Sequence, residues 1–301
     1  MSLLVTGSIG IDTVTTPHGE AVGVLGGSAV YFSFAASAYV PVRLVGVVGD
    51  DFPDAFHEVL RSRPIDLAGL ERRPGSKTFR WTGRFNGAMN EAQTVDVQLN
   101  VLAEDGPRVP PAFADSRTVF LANTHPRLQR GLLRQLHGPR LTVCDTMNHW
   151  ITTERDELQE TLAVVDGVIL NDGEARLLTG EHNLIAAGER IRGMGPEFVI
   201  IKKGEHGAIL FTPEGVTSIP AFPTHAVRDP TGAGDSFAGG ILGYVAQQGR
   251  WDHGTLRRAL VHGTVASSFA IEDFSLRRMQ TLTKEDIERR VAQYLDMLRF
   301  E

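Results

Sequence analysis

The chain has 301 residues, 42% of them hydrophobic and 22% charged, with 30 basic against 36 acidic side chains for a formal net charge of −6. This is the balance of a globular protein with a substantial core, and it argues against long disorder and against the basic excess that a nucleic-acid partner requires. The single cysteine, Cys144, excludes an internal disulfide, a cysteine zinc site and a redox CxxC pair, and points to a reducing, cytoplasmic setting.

The first apolar run, "LLVTGSI", reaches Asp12 at once and lacks the basic and long apolar regions of a signal peptide. A helix is expected over residues 28–39, then the strand "RLVGVVG". The apolar stretch joining them is broken by Pro41 and Arg43, short of the roughly 20 residues that cross a membrane. A helix over 51–62 follows, with Asp50, Asp51 and Asp54 explained by capping and solvation. Residues 77–102 change the rhythm to period two and are split by "NGAMN", so they read as a hairpin outside the main sheet. One side of its first strand carries Lys77, Phe79, Trp81 and Phe85; Val95, Val97, Leu99 and Val101 line one side of the second. Such a ribbon needs a cover from a ligand, the main domain or a second subunit.

Beyond the hairpin, "TVFLAN", "LTVCD", "GVILN" and "FVIIKKG" alternate with helical segments at 127–137, 154–164, 173–180 and 183–193. Three further helices are expected near 234–248, 254–271 and 283–299. Valine- and isoleucine-rich runs alternating with helices predict a buried parallel sheet flanked by helices. The ten histidines show no HExxH spacing, "GSIG" after the first strand lacks the GxGxxG of a dinucleotide site, and Cys144 reads as a packed thiol.

Chemistry concentrates in "DPTGAGD", residues 229–235, at a loop-to-helix junction. Ligands of such sheets sit beyond the carboxyl ends of the strands. Glycines let backbone approach a ligand, and free N–H groups at a helix start favour an anion such as phosphate. Asp235, in the first helical turn, can take a proton from a hydroxyl that attacks a phosphoryl group. Taken alone, Asp235 would read as a helix cap before it read as a base.

The stretch "DPTGAGDSFAGG" resembles the C-terminal signature of the PfkB, or ribokinase-like, carbohydrate kinases. "GGSAVYFSFAAS" at 26–37 resembles that family's diglycine segment, "NDGE" at 171–174 its NxxE element, and "KKGEHGA" at 202–208 its nucleotide-side strand and turn. The four occur in family order along most of the chain. The resemblance implies Asp235 as catalytic base and the amides of Gly232, Ala233 and Gly234 as an anion hole. It implies Asn171 and Glu174 as holders of Mg2+ through water, which suits a hard cation. Asp12, Gly26 and Gly27 would meet the acceptor; Lys202, Gly204, Gly207, Asn171 and Thr231 would lie by ATP. Asp229 would sit beside a monovalent cation such as K+.

Two positions depart from the pattern. Tyr31 stands where many relatives have an asparagine that contacts sugar, and "CDTMNHW" replaces Asp-Pro-Asn, leaving Asp145 as a polar strand-end residue and Asn148 as a substrate candidate. The resemblance therefore implies a ribokinase-like three-layer α/β sandwich with a mostly parallel central sheet and a small β-sheet lid. The core would comprise residues 1–12, 25–74 and 103–301, and the lid 13–24 and 75–102. The expected activity is ATP-dependent transfer of a γ-phosphate to a sugar or cyclic polyol. The alternative acceptor is a nucleoside, stacked on Tyr31 and the lid aromatics; a sugar phosphate held by Arg80 or Arg84 ranks third, and a non-catalytic ligand sensor on the same fold is a separate reading. A homodimer joined through the lids is expected, with no nucleic acid or membrane partner.

Overall fold

The computed structural model describes residues 2–299, so residues 1, 300 and 301 of the expected core lie outside the described part. In chain order the first half comprises β1 (Leu3–Thr6), β2 (Gly10–Thr16), β3 (Gly19–Gly26), α1 (Ser28–Ala36), β4 (Val42–Gly49), α2 (Asp54–Arg61) and β5 (Ile65–Arg73). Next come β6 (Phe79–Phe85), β7 (Ala92–Gln98), β8 (Thr118–Leu121), α3 (Pro126–Leu133), β9 (Leu141–Cys144), α4 (Asn148–Thr153) and α5 (Arg155–Leu162). They are followed by β10 (Gly167–Asn171), α6 (Asp172–Thr179), α7 (Leu184–Arg192), β11 (Phe198–Lys202), β12 (Ala208–Thr212) and β13 (Gly215–Ile219). The chain closes with α8 (Ala233–Gln248), α9 (His253–Ala270), α10 (Arg277–Gln280) and α11 (Lys284–Met297).

Nine strands form one sheet in the order β13-β12-β11-β10-β9-β8-β1-β4-β5. From β11 to β5 every pairing is parallel, while β12 and β13 are antiparallel additions at one edge. The parallel strands are continuous apolar runs because both faces are covered. Leu3 and Val5 of β1 pack into one core with α1, α8 and α9, whereas Leu4 packs into a second core with α3, α5, α6 and α7. Alternate side chains of each strand thus feed opposite layers. Cys144 lies in the second core, fully buried, and burial pushes its thiol far above the ordinary range.

A second sheet has four strands in the order β3-β2-β6-β7. It is mixed: β2–β3 and β6–β7 are antiparallel, but β2 runs parallel to β6, which pairs Asp12 with Trp81. The expected hairpin is therefore half of a larger sheet that also takes in the chain before α1. Its predicted apolar faces are not kept: a bulge at Thr82/Gly83 shifts the register, Phe85 is buried, and Val95, Val97 and Leu99 stand exposed. The aspartates after β4 do more than cap a helix. Asp51 pairs with Arg80 at 2.7 Å and accepts the Thr78 N–H, and Asp50 accepts that of Gly75, tying the start of β6 to the main sheet. Among the described residues no helix is long and apolar enough to cross a membrane.

Candidate active site

The carboxyl ends of β1, β8, β9, β10 and β11 converge with the N-terminus of α8. Gly232 is the N-cap of α8 at φ +74°, a left-handed conformation that a side chain rarely adopts. The loop before it is pinned by Asp229, whose two carboxylate oxygens accept the N–H of Thr231 at 2.9 Å and of Ser275 at 3.1 Å. Its position beside a cation was expected; in the structure its oxygens anchor the turn to the segment after α9. Asp235 lies in the first turn of α8, half-buried, and desolvation raises its pKa while Lys202 opposes the rise. Lys202 ends β11, with its Nζ 2.9 Å from where a Cβ on Gly234 would stand. The base candidate, the N–H turn and the lysine are therefore brought together.

Asn171 and Glu174 form a reciprocal cap on α6: the Asn171 N–H donates to Glu174 Oε2 at 2.6 Å, and the Glu174 N–H donates to Asn171 Oδ1 at 2.7 Å. Burial raises the Glu174 pKa and Lys202 opposes it, so this carboxylate shares a field with Asp235. The NxxE spacing thus has a local structural cause as well as a place at the site.

Asp12 is almost fully buried on β2, and its pKa is pushed up to about 7 by desolvation, then by Asp229, with Asp235 adding a smaller push. A Cβ on Gly26 would stand 1.9 Å from Asp12 Oδ2, so only glycine fits there. The nearby Gly27 N–H lowers its pKa against those pushes. Among the described residues Asp12 Oδ1 has no hydrogen-bond partner. A buried carboxylate atom left unpaired is costly unless a ligand completes it.

Tyr31, expected at the acceptor, lies buried under the Gly232 turn. A Cβ on Gly232 would come within 2.2–2.4 Å of Tyr31 Cγ, Cδ1 and Cδ2, so the turn covers one face of the ring, which is 1% exposed. Stacking on a base is not open to that face. Asn148 is exposed at the start of α4, whereas Asp145 and Thr146, just after β9, are buried with unpaired Oδ1 and Oγ1 atoms. Burial raises the Asp145 pKa well above its ordinary value, Asp235 adds to it and Lys202 opposes it. Gln129 fixes this strand end, donating from Nε2 to the carbonyls of Leu121, Ala122 and Asp145. A polar residue directly after a buried strand was the available signal for Asp145; Gln129 had none. Arg80, considered as a phosphate ligand, is engaged by Asp51. Gly204 and Gly207 flank the short turn after β11, on the Lys202 side, and Thr231 leaves its hydroxyl unpaired beside Asp229.

A cavity lies at the ends of β1, β4 and β8, where the apolar Val47, Val101, Leu102 and Leu128 are mixed with the carboxylates Glu104 and Asp105. The unpaired Asp12, Asp145, Thr146 and Thr231 atoms beside a glycine-lined N–H turn fit an acceptor hydroxyl, a hydrated divalent cation and a phosphate chain.

The family model for "pfkB family carbohydrate kinase" matches residues 134–282. A relative named cytidine kinase, from Thermococcus kodakarensis, is 32% identical over 250 residues, covering 80% of this chain and 87% of the relative. The chain belongs to the pfkB family. The members named here are kinases, and this chain is accordingly a phosphotransferase of the pfkB type. Solved structures share the fold of this pfkB kinase. The Burkholderia thailandensis nucleoside kinase in complex with inosine has a TM-score of 0.73 at 20% identity, covering 98% of this chain and 99% of the other. An E. coli protein assigned as ribokinase II, in complex with ATP and Mg2+, has a TM-score of 0.77 at 17% identity, covering 97% and 99%.

Proposed function

We propose that this pfkB kinase phosphorylates a nucleoside, with ATP as donor and Mg2+ as the divalent cation. The observation that carries the phosphoryl-transfer chemistry is the meeting of Asp235, the Gly232–Gly234 turn and Lys202 at the start of α8. The nucleoside reading is supported by the cytidine kinase relative, which matches most of its own length to this chain. It displaces the sugar or cyclic polyol placed first from sequence.

Asp12 accepts hydrogen bonds from ribose hydroxyls, using the oxygen that is otherwise unpaired. Asp235 takes the proton of the attacking hydroxyl as its oxygen bonds to the γ-phosphorus and the bond to the ADP oxygen breaks. A base candidate whose pKa is raised by burial holds that proton more readily. The amides of Gly232, Ala233 and Gly234 donate to phosphate oxygens as charge builds on them. Lys202 adds a positive charge beside the same turn. Asn171, Glu174 and Asp145 would hold Mg2+ through water, and the ion would neutralise phosphate charge. Asp229 keeps the turn in place.

Lid-to-lid homodimerisation remains the proposed assembly. Val95 and Val97 on the outer strand β7, and Leu99 just beyond it, are exposed, which is a surface that edge strands ordinarily avoid presenting. A monomeric mass at micromolar concentration would remove that assembly.

The test is γ-phosphate transfer from ATP to a matched panel of cytidine, inosine, free ribose, a cyclic polyol and a sugar phosphate. The account expects kcat/KM for a nucleoside to exceed that for ribose by about tenfold or more, the worth of burying the base. Ribose or the polyol outrunning every nucleoside would return the first reading.

A further inference from the structure

The small sheet reaches across the site. At one end β2 carries Asp12, and Thr16 Oγ1 donates to the Arg228 carbonyl just before the DPTGAGD loop. At the other end the β6–β7 turn, residues 86–91, extends to the nucleotide-side turn after β11. There the Asn90 Nδ2 donates to Glu205 Oε1 at 3.0 Å, and Asn90 Oδ1 lies 3.6 Å from where a Cβ on Gly204 would stand. Neither turn is slack. Met89 N–H bonds the Asn86 carbonyl, while Lys203 N–H bonds Gly207 O at 2.7 Å and His206 N–H bonds Lys203 O at 3.0 Å. Lys202, at the base of the second turn, is the residue whose Nζ lies against Gly234.

We propose that Asn90 is a positioning residue: its bond to Glu205 latches the lid tip onto the nucleotide-side turn, so that seating the acceptor at Asp12 and shielding the γ-phosphate from water occur in one closed arrangement. The proposal rests on the reading of the site as an ATP-dependent kinase. One continuous sheet joins Asp12 to the latch, because β2 pairs with β6 along its length and β6 pairs with β7 on its other side. The competing reaction is defined. Water attacks the γ-phosphorus, the bond to the ADP oxygen breaks, and phosphate, ADP and a proton are released without product. A closed lid suppresses this reaction by excluding water. An exposed hydrogen bond of this kind is weak, so the latch opens readily for exchange.

The test uses the whole protein and two readouts, the acceptor KM and the ATP hydrolysed per acceptor phosphorylated, with whichever acceptor the panel above ranks highest. Asn90→Asp sets a carboxylate against Glu205. It should raise both readouts about three- to tenfold, and adding Glu205→Gln, which restores a donor opposite the carboxylate, should bring both back to within about twofold of the parent, as a contact worth about 1 kcal/mol implies. Unchanged readouts in Asn90→Asp, or a defect that Glu205→Gln leaves in place, would overturn the latch. Failure of every nucleoside as acceptor would overturn the substrate reading instead, since the latch is then measured with the acceptor that does react.

Discussion

The ring of Tyr31 lies directly beneath Gly232: any side chain on that glycine would penetrate the ring at its Cγ end. The Gly232 turn therefore rests on an aromatic plate that supports it. Its hydroxyl is buried without a partner, and burial, then Asp12 and Asp229, push the phenol well above its ordinary range.

Tyr31→Phe should accordingly be neutral or mildly stabilising, because it deletes a buried hydroxyl with no hydrogen bond to lose. Acceptor KM should stay within about threefold, since an exchanged substrate hydrogen bond would show as a larger loss. Tyr31→Ala should destabilise by about 3–5 kcal/mol through the cavity left under the turn. Denaturant melts and steady-state kinetics on both variants check this, and a large rise in acceptor KM for the phenylalanine variant would make the hydroxyl a substrate ligand.

Gly26→Ala drives a methyl into the Asp12 carboxylate, at 1.9 Å from Oδ2. Acceptor KM should rise by about tenfold or more while KM for ATP holds, because one misdirected hydrogen bond to a charged group is worth about 1.5–3 kcal/mol. Equal rises in both constants would show general disruption of the site.

The pKa of Asp12, raised to about 7, sets a sign for pH dependence. Between the ordinary carboxyl value of 3.8 and about 7 the folded chain keeps a proton that the unfolded chain has released. This group's contribution to stability therefore falls as pH rises through that window, and its penalty is complete above about 7. Asp12→Asn should raise the melting temperature at pH 8, with the gain shrinking to nothing near pH 4 (roughly the ordinary Asp pKa), while acceptor binding is impaired throughout. Thermal melts across that range check it; a gain independent of pH would mean that Asp12 does not titrate there.

Glu174 caps α6 and is proposed to hold Mg2+, and one variant separates the two roles. Glu174→Gln keeps an oxygen that can accept the Asn171 N–H, so the α6 cap and the melting temperature should be largely retained. Loss of the charge should raise the Mg2+ concentration for half-maximal activity by about tenfold, the order seen when one ligand environment of a metal is altered. An unchanged Mg2+ titration would confine Glu174 to capping.

The parallel strands were legible because burial on both faces writes a continuous apolar run, as in "GVILN" and "FVIIKKG". β5, β12 and β13 were not identified as strands from sequence. Two of these are edge strands: β5 carries Asp66, Glu71, Arg72 and Arg73 and pairs on one side only, and β13 alternates exposed with half-buried residues before a single buried one. The turn before α8 was legible because its backbone demand is written in glycine. Asp145 and Gln129 gain their meaning only where the ends of β8 and β9 meet, which spacing does not encode. Tyr31 was unreadable for a different reason. Every residue of α1 is buried, so the sequence marks no face of that helix as the one toward the site.

The central claim is that Asp235 accepts the proton of the attacking hydroxyl, and the most direct measurement is turnover of Asp235→Asn alongside its ATP affinity. The account predicts turnover lower by about 10²- to 10⁴-fold with ATP affinity little changed, the usual contribution of a positioned general base. Turnover near that of the parent, with the variant folded and binding ATP, would contradict it.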